Sequence, residues 1–212
     1  MVVTCAGCSS SPTFIKPVSG PLPNLGKHVG DFDSDRLQVA VPVGWRSLGP
    51  TRKVVARFAE DFDSLPRIWI RAEALSAYRI EEIEDLTAEN VRSFADQLAK
   101  ELQRRKVKLL EPVKPMSVGN RFFARYVIST RFTTRDRHGS PTAKQTERQI
   151  LKTVAAGRVY TVDLHVPVGE IPEHRNIGYA VMAGLKIHRR SDMDLNGTMD
   201  PPRNPPKSRV NP

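Results

Sequence analysis

One long segment with helical periodicity stands between two groups of strand-like segments. Apolar residues recur every three or four positions from Val91 through Leu98 to Leu102, which places them on one face of a helix. Thr87 is the expected N-cap, and the basic residues at the other end suit the negative end of the helix dipole. The pattern predicts one long helix over residues 87–105, with Leu98 facing a sheet.

The segments on either side of this helix alternate between apolar and polar residues, as strands do. The strand-like segments are RLQVAVPVGW, KVVARFAE, RIWIRAEAL, KVKLLEPV, RFFARYVISTRFTT, QTERQILKTVA, VYTVDLHVPV and a final LKIH. A shorter helical segment, EIPEHRNIGYAVMAG, precedes the last strand. Because short turns join the strands in pairs, we expect an α+β fold: a mainly antiparallel β-sheet with helices packed on it.

The composition of the two ends differs from that of the middle. Residues 36–189 form one predicted folded unit without an internal repeat. Residues 9–35 are rich in Ser, Pro and Gly, which predicts a flexible tether, and residues 190–212 are rich in proline, which predicts a disordered tail. No run of eighteen apolar residues occurs, so no membrane-spanning helix is expected.

The order of these elements, together with two short motifs, resembles a known fold family. The opening strand ends in Pro42-x-Gly44-Trp45, and Gly157-x-x-Tyr160 precedes the short helix and the last strand. This arrangement, over residues 36–189, resembles the PsbP/Mog-type domain, which also occurs in bacterial envelope lipoproteins of the LpqN and DcrB kinds. The resemblance implies an α/β/α sandwich and a binding or assembly role without catalysis. It carries over no functional residue and no cofactor.

Both cysteines lie within the first eight residues. A redox Cys5-x-x-Cys8 pair would be expected at the start of a helix, and structural zinc would need two further ligands in a recognisable spacing. The third interpretation is a lipobox, because Cys5-Ala-Gly-Cys8 resembles the bacterial pattern in which small residues precede a cysteine that is lipidated and becomes the mature N-terminus. Acyl chains on Cys8 would anchor the protein durably to a membrane.

The lipobox interpretation makes residues 1–8 the remnant of a truncated lipoprotein signal. Only seven residues precede Cys8, too few for a basic region and an apolar core. The interpretation therefore requires a start upstream of Met1 and places the protein in the cell envelope, anchored by lipid. If Met1 is the true start, a cytoplasmic location is expected instead.

Positive charge is concentrated in the predicted hairpin of residues 121–158. The chain carries a net charge of +10, and this segment holds nine basic residues against two acidic ones. Arginine predominates, and its planar guanidinium suits phosphate or carboxylate groups. We predict that a solvent-facing set binds an anionic partner: Arg121, Arg125, Arg131, Arg135, Arg137, Lys144 and Arg148. The alternative is that these arginines only keep an exposed sheet face soluble.

Motifs for catalysis or for metal binding are not found in the sequence. GxSxG, HExxH, GxGxxG and GxxxxGK[ST] do not occur, so we expect neither an enzyme nor a cofactor. Asp163 and His165 share a strand face, where a metal or a proton-transfer pair is conceivable, but a solvated face is the favoured interpretation. Trp45 and Trp69 are expected to pack in the core or at its rim.

Two functions follow as expectations. The first is a non-catalytic envelope lipoprotein that contacts a protein or an anionic envelope component through its basic hairpin. The second is a cytosolic basic module that binds nucleic acid or another polyanion. Nucleic acid is the less favoured partner, because Phe122, Tyr126 and Phe132 are assigned to the core face and are not free to stack on bases.

Overall fold

The computed structural model describes residues 15–61, 65–78, 80, 83–135 and 141–189. In chain order the elements are β1 (Lys16–Pro17), β2 (Leu25–Phe32), β3 (Leu37–Pro42), β4 (Arg46–Ser47), β5 (Ala56–Ala59), β6 (Arg67–Ala74), a 3-10 helix (Leu75–Tyr78), α1 (Val91–Arg104), β7 (Leu109–Val118), β8 (Arg121–Arg135), β9 (Pro141–Ala155), β10 (Arg158–Pro167), α2 (Ile171–Ala183) and β11 (Lys186–Ile187).

The strands form two sheets. The large sheet has eight strands in the order β1-β7-β8-β9-β10-β6-β5-β4, and the small sheet has three in the order β11-β3-β2. Among the described strands, β1 pairs parallel with β7 and the other pairs are antiparallel. With its two helices the fold is α+β, as the sequence predicted.

Local sequence explains the tight turn between β9 and β10. Ala155 pairs with Arg158, so only Ala156 and Gly157 form the loop, and both have positive φ, 49° and 68°. A two-residue loop of this kind matches the twist of the two strands, and glycine adopts its conformation without steric cost. The turn therefore sets the register of the two central strands.

Both faces of the large sheet are covered. One face packs against α2 and the small sheet, around Phe58, Phe123 and Tyr160. The other face packs against α1 and the 3-10 helix. Phe94 and Leu98 of α1 belong to a buried cluster with residues of β8 and β9. Leu98 is 1% exposed, which confirms that the predicted helix directs this residue towards the sheet.

Helix α1 is shorter at its start than the sequence predicted. It begins at Val91, with Asn90 at the N-cap position and without a side-chain cap. The backbone N–H of Thr87 donates to Oδ1 of Asn90 at 2.7 Å, and Asn90 in turn donates to the carbonyl of Asp85 at 2.9 Å. The predicted capping residue thus lies in the turn that precedes the helix.

Residues 15–35 do not form the predicted tether. Lys16 and Pro17 pair with β7, and β2 pairs with β3. Leu25 and Phe32 pack against the core on the α2 side. The segment combines this apolar contact with backbone pairing, which offsets the entropy of ordering. Residues 1–14, including Cys5 and Cys8, and the predicted tail at 190–212 lie outside the described residues.

Neither described helix combines the length and the apolar character that a bilayer crossing requires.

Candidate functional site

Beyond α1, the sheet face that this helix covers continues as a polar surface on β9, β10 and β6. Side chains alternate along a strand, so residues paired across neighbouring strands lie on the same face. Asp163 of β10 is paired with Trp69 of β6, and His165 is paired with Arg148 on one side and Arg67 on the other. The register therefore gathers charged and aromatic residues from three strands.

A buried carboxylate lies at the centre of this surface. Asp163 is 0% exposed. Arg71 Nη1 donates to its Oδ2 at 2.7 Å, and Arg148 Nε donates to its Oδ1 at 3.0 Å, with a second Arg148 contact through Nη2. His165 Nε2 lies 3.2 Å from Oδ1. We name these four residues the Asp163 network; in it, two guanidinium groups hold one carboxylate.

The contacts around Asp163 determine which groups of the network are charged at neutral pH. Burial alone would raise the pKa of Asp163, but its contacts with His165 and Arg148 outweigh burial and hold this pKa well below its usual range. Burial lowers the pKa of His165, so its imidazole is neutral at pH 7. One ionised carboxylate therefore faces two permanently charged guanidinium groups.

Trp69 lies at the edge of the network with cations on its ring. Its ring centroid is 4.4 Å from that of His165. The guanidinium carbon of Arg67 lies 4.7 Å from the Trp69 centroid, and that of Arg71 lies 5.5 Å from it. Trp69, Arg67 and Arg71 are all partly exposed. We name Arg67, Trp69 and Arg71 the Trp69 surface; it is a cation–π arrangement that solvent can reach.

A second polar cluster lies beneath α1. The buried Lys152 donates through Nζ to Tyr78 Oη and to Thr161 Oγ1, each at 2.8 Å, and the Tyr78 hydroxyl donates to Glu73. Burial lowers the pKa of Lys152 to about 8, against the attraction of Glu73 and Asp163. Burial, together with the bond to Glu73, raises the pKa of Tyr78. These groups satisfy one another inside the protein.

The structure contradicts the predicted solvent exposure of several hairpin cations. Arg125 is 5% exposed and pairs with Glu111, and Arg121 donates to a backbone carbonyl at 2.6 Å. Arg148 belongs to the Asp163 network. Alternation with apolar residues places Arg121 and Arg125 on one face of β8, but that face packs against α2 and the small sheet.

The other predicted binding residues have different outcomes. Arg131 is exposed, as predicted. The structure does not describe the side chains of Arg135 and Lys144, and Arg137 lies outside the described residues. The favoured interpretation of Asp163 and His165 as a solvated pair was wrong, because the residues are 0% and 4% exposed.

Sequence reasoning missed the Trp69 surface. Its signal is the strand RIWIR, in which Arg67, Trp69 and Arg71 alternate with Ile68 and Ile70. Period-two alternation places the three polar or aromatic residues on one face, so their proximity could have been predicted. Among the described residues, no group of three His, Cys, Asp or Glu side chains could hold a metal ion.

No protein-family model and no curated protein matches the chain. Among solved structures, a protein from Bacteroides thetaiotaomicron VPI-5482 is similar with a TM-score of 0.43 and 11% identity; the match covers 74% of this chain and 47% of that one. The chain thus spans about half the length of the Bacteroides protein.

Two further structures belong to the kinds of protein that the sequence resembled. Cyanobacterial PsbP from Synechocystis sp. PCC 6803 has a TM-score of 0.41 and 11% identity, covering 80% of this chain and 100% of that one. LpqN of Mycobacterium tuberculosis, described as involved in cell envelope biogenesis, has a TM-score of 0.37 and 11% identity, covering 71% and 82%. The chain is similar in fold to PsbP and LpqN.

Proposed function

We propose that this chain is a non-catalytic binding protein of the cell envelope, anchored by lipid on Cys8. In this proposal it contacts an acidic protein partner through the Trp69 surface, and the hairpin arginines are mainly structural. The observation that carries the proposal is the partly exposed Trp69 ring, with two guanidinium groups 4.7 and 5.5 Å from its centroid.

Tryptophan and arginine are the side chains most enriched among residues that dominate protein binding energy. Arg71 is also held by Asp163 at 2.7 Å, so its guanidinium is already ordered before a partner arrives. A pre-ordered side chain loses less conformational entropy on binding. Carboxylates of an acidic partner could accept from the guanidinium groups while an apolar side chain covers the indole.

The local charge balance favours an anionic partner. Among the described residues, four cations, Arg67, Arg71, Arg148 and Lys152, lie around the carboxylates of Asp163 and Glu73. A positive surface attracts an acidic protein and repels a basic one, and the attraction weakens as salt is added. We therefore expect binding that is fast at low ionic strength and sensitive to salt.

The state of the titratable groups supports a role without catalysis. Asp163 is ionised and held by two arginines, and its lowered pKa makes it a weak general base at neutral pH. Lys152 has a pKa of about 8 but is buried under α1. Asp163 and Lys152 each have hydrogen-bond partners inside the protein, as expected for groups with a structural role.

Binding at the Trp69 surface can be followed by fluorescence in the full chain carrying Cys8→Ser, which cannot be acylated. The chain has two tryptophans, so Trp45→Phe leaves Trp69 as the only one. We expect poly-L-glutamate to shift the Trp69 emission, and we expect Arg67→Gln to weaken that binding about fivefold, the effect of losing about 1 kcal/mol of cation–π and charge interaction.

The matched control is Arg131→Gln, which removes an exposed arginine from the predicted hairpin face instead. It should leave the affinity for poly-L-glutamate unchanged. A loss of affinity in Arg131→Gln but not in Arg67→Gln would show that the binding site lies on the hairpin and not on the Trp69 surface. Tight binding of a single-stranded oligonucleotide with no binding of poly-L-glutamate would favour the cytosolic polyanion-binding function.

The anchor requires its own experiment. Expressed from its natural gene with the upstream coding sequence, the protein should incorporate labelled fatty acid and partition into detergent. Cys8→Ser should abolish both properties, whereas the neighbouring substitution Cys5→Ser should leave both unchanged. Equal labelling of the wild type and Cys8→Ser would refute lipid attachment at this residue.

A further inference from the structure

A cavity of about 270 Å³ lies between β1, β7, β8 and α2, on the sheet face opposite the Trp69 surface. Four cationic side chains line it, one from each of these elements: Lys16, Lys114, Arg125 and Arg175. Glu111 is the carboxylate among the lining residues, and Tyr179 of α2 also contributes. The cavity thus brings together charges that lie far apart in the sequence.

Arg125 is a buried part of the cavity wall. It is 5% exposed, and its two terminal nitrogens donate to Glu111, Nη2 at 2.9 Å. Its Nε is buried and has no hydrogen-bond partner among the described residues. Its guanidinium is therefore a positive charge in the cavity wall that is already ordered before a ligand arrives.

The charges in the cavity exceed what Glu111 can neutralise. The bond from Arg125 lowers the pKa of Glu111, with further lowering by Lys114 and Arg175, so these cations lie close to one carboxylate. Four cations against one anion leave three positive charges, which favours a dianion over a singly charged group. The volume is below the ~300–1,000 Å³ of ordinary small-molecule sites, so the ligand is small.

We propose that this cavity binds a phosphomonoester dianion, with Arg125 as the buried anchor and Arg175 and Lys114 at the rim. The planar guanidinium of Arg175 suits the paired oxygens of a phosphate, while Arg125, held by Glu111, and the lysine ammonium groups add positive charge. Such a group could be free in solution or be the headgroup of a lipid. This site shares no residue with the Trp69 surface, so it can be tested independently of the proposed function.

The first test is thermal unfolding of the full Cys8→Ser chain in inorganic phosphate, compared with chloride at equal ionic strength. Phosphate at about ten times its Kd should raise Tm by about 3–6 °C. Arg175→Gln should abolish this rise while leaving Tm in chloride nearly unchanged, because Arg175 is exposed. Arg125→Gln is avoided as the main variant, because it leaves Glu111 without its partner and so perturbs the fold.

Two control variants keep the result specific. Arg92→Gln removes an exposed arginine from α1, away from the cavity, and should retain the full effect of phosphate. Arg67→Gln should also retain it, which separates this site from the Trp69 surface. If Arg92→Gln loses the effect as fully as Arg175→Gln, the effect is one of net charge and the proposal is overturned.

The second test distinguishes the two sources of phosphate. Sedimentation with phosphatidic acid vesicles that is reversed by inorganic phosphate and lost in Arg175→Gln would identify a lipid headgroup. Stabilisation by inorganic phosphate that depends on Arg175, with vesicle binding that does not, would identify a free phosphomonoester. If neither probe shows a dependence on Arg175, the cavity is not a phosphate site.

Discussion

Asp163→Asn is the substitution that most directly tests the buried network. Asparagine keeps the shape of the side chain and one acceptor oxygen but removes the negative charge. Asp163 is fully buried, and it is the carboxylate that holds both Arg71 and Arg148. The variant therefore leaves two guanidinium groups close together without their counter-charge.

The size of the effect follows from the exposure of the two arginines. Removing one partner of a buried ion pair costs about 3–5 kcal/mol of unfolding free energy, because a charge stays buried without compensation. The side chains of Arg71 and Arg148 are 22% and 18% exposed in the folded protein, so water can partly solvate them after the substitution. We therefore expect a loss at the lower end, about 3 kcal/mol at pH 7.

Urea unfolding of the wild type and the variant, followed by circular dichroism, measures this loss. The pKa of Asp163 is lowered in the folded protein, so its contribution is fully present above the unfolded-state pKa of about 3.9 and declines as pH falls towards the folded pKa. The difference between wild type and variant should therefore shrink below about pH 4.

Glu84→Gln is the matched control, because Glu84 lies 3.3 Å from Arg189 and its side chain is 70% exposed. Loss of this surface pair should change stability by no more than about 0.5 kcal/mol. A cost for Asp163→Asn as small as that of the control, or a cost that does not change with pH, would refute the account of a charged, stabilising network.

Three further substitutions test the core and its polar groups. Leu98→Ala should lose about 2–5 kcal/mol in urea unfolding, since Leu98 is buried under α1; a loss below about 0.5 kcal/mol would contradict that packing. The pKa of Lys152 falls from 10.5 to about 8 on folding, so the unfolded chain binds the extra proton between these values. Wild-type stability should therefore gain up to about 3 kcal/mol from this group as pH rises from 8 to 10.5, and Lys152→Met should lack the gain. Neither amide atom of the fully buried Gln149 has a hydrogen-bond partner among the described residues, so Gln149→Met should raise stability by about 1–3 kcal/mol; a lower stability would indicate that the amide is satisfied.

Periodicity in the sequence was enough to predict the elements that bury one continuous face. The spacing around Leu98 predicted α1, and alternation through Tyr160 and Leu164 predicted β10. These segments owe their structure to a repeated apolar pattern that is visible over ten or more residues. Their approximate bounds followed from the sequence for that reason.

The strands β1 and β2 could not be predicted in this way. Strand β1 has two residues, Lys16 and Pro17, and it gains its structure from pairing with Met116 and Ser117 on β7. A contact between residues one hundred positions apart leaves no local pattern. Strand β2 contains two glycines and two register irregularities, so its sequence lacks the clean alternation that identifies a strand.

The roles of the arginines were hidden for a related reason. Arg125 and Arg131 both alternate with apolar residues on β8, yet the first is buried and the second is exposed. What separates them is the position of Glu111 on β7 and of α2 over one end of the strand. Local alternation assigns a face, but it cannot say which part of that face another element covers.

The pairing of β1 with β7 limits how far the folded domain can stand from a membrane. If Cys8 carries lipid, Lys16 lies eight positions after it, and a fully extended chain of eight steps spans at most about 29 Å. A tether that ran to residue 35 would allow roughly 90 Å or more. This short linker would keep the β1 edge, and the cationic cavity beside it, nearest to the lipid headgroups.

Strand β6, which carries Trp69, lies five positions across the large sheet from β1, roughly 24 Å away at the usual strand spacing. The two surfaces would then occupy different heights above the bilayer, the cavity near the lipid and the indole towards the compartment. A partner that binds Trp69 could approach without displacing the domain from the membrane, so anchoring and recognition could take place at the same time.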